Sequence, residues 1–129
     1  MRGSFKTLSV YQDALHLVDL SYELIKIFPK QEKYNLSDQL RRAFPSVTLN
    51  IAEGNGRMTT RDYIKFLKIS AGSLNEMEAI AEIAIGQKMI SEPQFHKFTK
   101  HIGTTRWKLI RLIKLDKTSA DNGATRIIR

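Results

Sequence analysis

At 129 residues the chain fits one domain with a sizeable core. Hydrophobic residues make up 42% of it, which excludes wholesale disorder, and the lack of cysteine excludes a disulfide framework and thiolate chemistry. A net charge of +8 and a pI near 9.9 point toward an anionic partner such as nucleic acid. No apolar run approaches the roughly 18 residues of a spanning helix, and no signal peptide opens the chain, so a cytoplasmic protein with no membrane role is expected.

Apolar periodicity predicts four helices. The first runs from about Val10 to Phe28, with Ser9 as a candidate N-cap and Leu17, Leu20, Leu24, Ile27 and Phe28 as its core face; Pro29 ends it. The second spans about Leu36 to Glu53 after Asn35, a good N-cap, and stops at the turn Gly54-Asn55-Gly56. The third begins near Thr60, buries Phe66, Leu67, Ser70, Ser73, Leu74, Met77, Ile80, Ala81 and Ala84, and has Gly86 near its end. The fourth follows Ser91, with Pro93 in its first turn, and turns Phe95, Phe98, Ile102, Leu109 and Ile113 to the core. Residues 1–117 are therefore expected to form an all-α, antiparallel up-down-up-down four-helix bundle, and 118–129 a flexible basic C-terminal tail.

The second helix carries two stripes. Gln39, Arg42, Ser46, Asn50 and Glu53 recur at helical spacing and form a polar seam, beside an apolar one of Leu36, Leu40, Ala43, Val47 and Ile51. A polar seam beside a core face predicts a hydrogen-bonded layer, with Arg42 and Glu53 joined inside the bundle or between subunits. Such a layer fixes register more than it adds stability.

Gln39-Leu40-Arg41-Arg42-Ala43, then Ser46, then Asn50-Ile51-Ala52-Glu53-Gly54, a basic loop, and Tyr63-Ile64-Lys65-Phe66-Leu67-Lys68-Ile69-Ser70-Ala71-Gly72-Ser73-Leu74-Asn75-Glu76 resemble the bacterial four helix bundle protein family. That family includes proteins encoded in intervening sequences of large-subunit ribosomal RNA genes, and its structural relatives include the accessory variability protein of diversity-generating retroelements. The resemblance covers roughly residues 5–115. It implies a ring-like homopentamer and, for the retroelement relatives, a basic protein working with RNA or DNA and a reverse transcriptase. This chain departs from the family pattern in having Thr48 where a proline usually follows the serine, with its own proline at Pro45, and Leu49 in place of a small polar residue.

With neighbouring helices antiparallel, one end of the bundle collects the start of helix one, the loop between helices two and three, and the end of helix four. That half carries the whole excess charge of +8, and the other half is neutral. Arg111, Lys114 and Lys117 suit the negative end of helix four's dipole and are explained equally well as helix stabilisers. Arg61, Lys65 and Lys68 have no such explanation: they lie in the first half of helix three, where the dipole favours acids, while Glu76, Glu78 and Glu82 lie in the second half. The candidate nucleic-acid contacts are Arg57, Arg61, Lys65, Lys68, Lys108, Arg111, Lys114 and Lys117. Trp107 falls on the basic side of helix four, placed to stack on a base or, more in keeping with tryptophan's enrichment there, to anchor a subunit contact.

Catalytic chemistry is not encoded in any recognisable pattern. His96 and His101 lie on different parts of one helix, His16 is remote in sequence, and no phosphate-binding glycine loop is present. Glu53 and Glu76 are possible paired carboxylates, but neither begins a Glu-x-x-His pair. Ser46, Ser70 and Ser73 have no histidine nearby in sequence and are expected to permit close helix packing. The expectation is a non-catalytic nucleic-acid-binding accessory protein without metal or cofactor. The alternative is an oligomeric scaffold whose basic surface serves an acidic protein.

Overall fold

A computed structural model describes residues 2–121. Among them four helices account for nearly all the ordered backbone: α1 (Ser9–Ile27), α2 (Leu36–Asn55), α3 (Thr60–Gly86) and α4 (Glu92–Asp121), with short 3-10 turns at Phe5–Thr7 and Lys30–Glu32. Each helix packs against the next in chain order, and α1 closes onto α4. Cross-helix contacts give the directions. Ser73 meets Ser46 while the Gly54 backbone meets Phe66, so α2 and α3 are antiparallel. Arg106 reaches Asn75 and Glu78, and Lys117 lies near Arg61, so α3 and α4 are antiparallel. Lys97 meets Glu23 while Lys108 meets Asp13, which reverses α4 against α1.

The core is built from the expected stripes. Leu36, Leu40, Ala43, Val47 and Ile51 of α2 are all buried, and they meet Leu17 and Leu24, Leu67, Leu74 and Met77, and Phe98, Ile102 and Leu109 from the other helices. Ile27 departs from its expected core place: it is exposed at the last turn of α1, while the neighbouring Phe28 turns inward. Phe95 and Ile113 pack only at the core's edge. Two buried hydroxyls find main-chain acceptors one turn back, Ser21 donating to Leu17 O at 2.6 Å and Thr105 to His101 O at 2.9 Å.

Several helix ends differ from the sequence expectation. Ser9 is the first residue of α1, not its cap, and its Oγ instead accepts from Lys108 Nζ at 2.6 Å. Asn35 makes no capping bond; its side chain joins Glu32 and Gln39. Gly54 and Asn55 belong to α2 rather than to the turn. A β-carbon at Gly54 would lie 2.8 Å from Phe66 Cβ, so the glycine is needed where two helices nearly touch. At the end of α3 the left-handed residue is Lys88, at φ 60°, rather than Gly86. Thr59 caps α3 through Asp62 N, and Ser91 and Gln94 bond reciprocally in a capping box at the start of α4. Helix α4 continues past Lys117 to Asp121, so the first four residues of the expected tail are helical; the rest of that segment, 122–129, lies outside the described residues.

Candidate nucleic-acid interface

Helix α3 positions the first three cations. Thr59 fixes the helix start, and Ile64 and Leu67 point to the core, which leaves Arg61, Lys65 and Lys68 together on the exposed side. Antiparallel packing brings the end of α4 alongside. The result is an open cleft of about 1010 Å³ in which Lys117 joins Arg61, Lys65 and Lys68, with Thr59, Thr60, Asp62, Ile64 and Ile69 completing the lining. Asp62 is the one acid among these residues. None of the four cations makes an ion pair among the described residues, so their charge is not spent internally.

The other four expected contacts are placed differently. Lys108 is held by Asp13, with Nζ 2.6 Å from Oδ2, and ties α4 to α1. Arg57, in the connection after α2, pairs with Glu53 in the last turn of that helix and lies over the Phe66 ring, 4.4 Å from its centroid. Arg111 sits 5.2 Å from the ring centroid of Trp107, on a ledge between α1 and α4 with Leu8, Leu112 and Leu115. Lys114 is exposed on the turn between Arg111 and Lys117. Trp107 is 59% exposed, away from the core as its helical position implied.

The polar seam of α2 divides. Ser46 and Asn50 enter it: Ser73 Oγ lies 2.8 Å from Ser46 Oγ, and Asn50 Nδ2 donates to Ser46 O and Oγ at 2.8 and 3.1 Å. Ser70 adds a bond to Val47 O. Arg42 and Glu53 are not joined within the chain. They lie eleven positions apart along one helix, and each finds a partner one turn away, Asp38 and Arg57 respectively. Among the described residues Gln39 bonds to Asn35. The Ser46–Ser73 register also places Glu76 near the Arg42 level, several turns from Glu53, so those two carboxylates do not form a pair.

Two relationships were not legible in the sequence. The rings of His16 and His101 meet across α1 and α4, tilted 58° to each other with centroids 4.6 Å apart. Burial and the His16 charge lower the His101 pKa, with Asp13 opposing and Lys97 and Lys100 adding to the effect. Arg106, in the half of α4 that belongs to the basic end, is committed to Glu78 and Asn75 on α3. No local spacing signals either, because both join residues on different helices. Among the described residues no group of three histidine or acidic side chains could hold a metal ion, and no helix is long and apolar enough to cross a membrane.

This geometry defines a small all-α bundle with a polar α2–α3 seam and, at one end, a basic cleft whose cations make no ion pair among the described residues. The family model for 23S rRNA-intervening sequence proteins matches residues 6–111, and the chain belongs to that family. A similar solved structure is a protein of unknown function from the S23 ribosomal protein family of Bacteroides thetaiotaomicron VPI-5482. It is 25% identical, superposes with a TM-score of 0.76, and the match covers 81% of this chain and 98% of that one. No curated protein matches the chain.

Proposed function

We propose that the protein is a non-catalytic nucleic-acid-binding accessory protein that uses the α3/α4 cleft as its principal contact. The observation that carries this reading is the grouping of Arg61, Lys65, Lys68 and Lys117 without acidic partners among the described residues. Folding does not favour the arrangement. Cations in the first turns of α3 oppose the helix dipole, at about 0.3–1 kcal/mol each near the terminus, and Arg61 and Lys65 repel each other at i,i+4 spacing. A surface that costs stability without filling a core is best explained by an anionic ligand. Phosphates would bind there mainly by counterion release, with little sequence choice.

The protein is proposed to act as a homo-oligomer, a pentamer by the resemblance. Supporting a subunit contact, Leu49 and Met58 are 66% and 61% exposed and line an open hollow of about 950 Å³ with Phe5, Ala52 and Arg57. The catalytic partner for the held strand would be a separate protein, a reverse transcriptase by the same resemblance.

The test is binding of a labelled structured RNA across a salt series, with the particle mass measured in the same buffer. Replacing Arg61, Lys65 and Lys68 by glutamate should collapse affinity and flatten the salt dependence, while thermal stability holds or rises because the dipole conflict is removed. Unchanged affinity and salt slope would remove the cleft from the function. A Leu49→Glu variant of lower mass would support the subunit contact, and an unchanged mass would count against it.

A further inference from the structure

Resting on the nucleic-acid reading of the basic end, we infer that the α3/α4 cleft is built for an unpaired strand rather than a duplex. The cations form a rim, but the floor between them is aliphatic. Ile69 is 42% exposed within the cleft, Ile64 contributes its edge, and the methylene stems of Lys65 and Lys68 extend the apolar surface.

Charge alone does not require such a floor. A duplex presents sugars and phosphates outward and keeps its base faces stacked on one another. It would engage the lysines and leave Ile69 without an apolar partner. An unpaired strand has base faces to spare and turns one onto the floor while the flanking phosphates meet the rim. Both components are then satisfied in one recess, between the walls of α3 and α4.

The lining also gives the strand a direction of approach. Asp62 stands at the start of α3 beside Arg61 and repels phosphate there, so the favoured track runs past Lys65, Lys68 and Lys117. No aromatic side chain lines the cleft, and its groups able to reach base edges, Thr59, Thr60, Arg61 and Asp62, cluster at the start of α3, so along Lys65, Lys68 and Lys117 the contacts are to phosphate and sequence preference is weak. Trp107 lies outside it, on the α1/α4 ledge with Arg111.

The experiment compares a short single-stranded RNA of mixed sequence with the duplex that contains it, each titrated over a salt series. Proteins to compare are the unaltered chain, Ile69→Ser, Ile69→Phe and the pair Lys65→Glu/Lys68→Glu, each checked by thermal unfolding. The single strand should bind the unaltered protein about tenfold more tightly at low salt. Ile69→Ser should weaken the strand by about three- to tenfold and leave the duplex and both salt slopes unchanged. Ile69→Phe should tighten the strand, since an aromatic ring stacks better on a base. Equal affinity for strand and duplex, or indifference to both Ile69 changes, overturns the inference even if the lysine pair proves essential. Binding of neither RNA, with no effect of the lysine pair, overturns the nucleic-acid reading and this inference with it.

Discussion

The hydroxyl of Ser70 on α3 donates to the main-chain oxygen of Val47 on α2 at 2.9 Å, at a point where Ser70 is fully buried and Val47 nearly so. With the Ser46–Ser73 contact one turn further along, it fixes the register between the two helices. The seam therefore carries specificity as well as packing. Ser70→Ala should cost about 1 kcal/mol, the usual net value of an intramolecular hydrogen bond. Ser73→Ala should cost less, because its partner Ser46 keeps access to water and to Asn50. Denaturant unfolding of the two variants gives the comparison, and a larger loss at Ser73 would refute the ordering.

Gly54 sets the closest approach of the same two helices. Alanine has the better helix propensity by about 1 kcal/mol, so an open site would gain from the change. Here the new β-carbon would meet Phe66 Cβ at 2.8 Å and the Tyr63 carbonyl oxygen at 3.3 Å. Gly54→Ala should therefore destabilise the bundle by about 1–3 kcal/mol. Adding Phe66→Ala should not rescue it, because the conflict is with the β-carbon that alanine retains. Thermal unfolding of the single and double variants decides.

Lys88 adopts φ 60° where the chain leaves α3, with Met89 N donating to Ala84 O at 2.8 Å. An L-residue in that conformation carries a steric cost that glycine avoids. Lys88→Gly should raise stability by about 1 kcal/mol in denaturant unfolding. Gly86→Ala, in open space within the helix, should also stabilise by propensity.

His101 gives a pH dependence. Its pKa is lowered from 6.5, chiefly by burial and then by His16, so between the folded value and 6.5 the unfolded chain binds more protons. Stability should therefore fall as pH drops through 6.5 and level off below the folded pKa. His101→Gln should flatten this part of the curve. Unfolding free energies measured from neutral to about pH 5 provide the check, before the carboxylates begin to titrate. A curve as steep in the variant would assign the effect elsewhere.

Local periodicity is enough to place the four helices and the apolar stripe of α2, and with the antiparallel rule for short connections it leads to the expectation of a basic end. It also placed Trp107 outside the core. The other features came from packing between helices. Whether Gly54 was a turn or a crossing depended on how close Phe66 came, and whether Arg42 and Glu53 could meet depended on partners one turn away. Of the eight candidate cations, three-dimensional packing gathered Arg61, Lys65, Lys68 and Lys117 and committed Lys108 to Asp13. Periodicity fixes which face of a helix a residue occupies. Ion pairing and close approach depend on distances of a few ångströms between helices, and those are set only when the cores interlock.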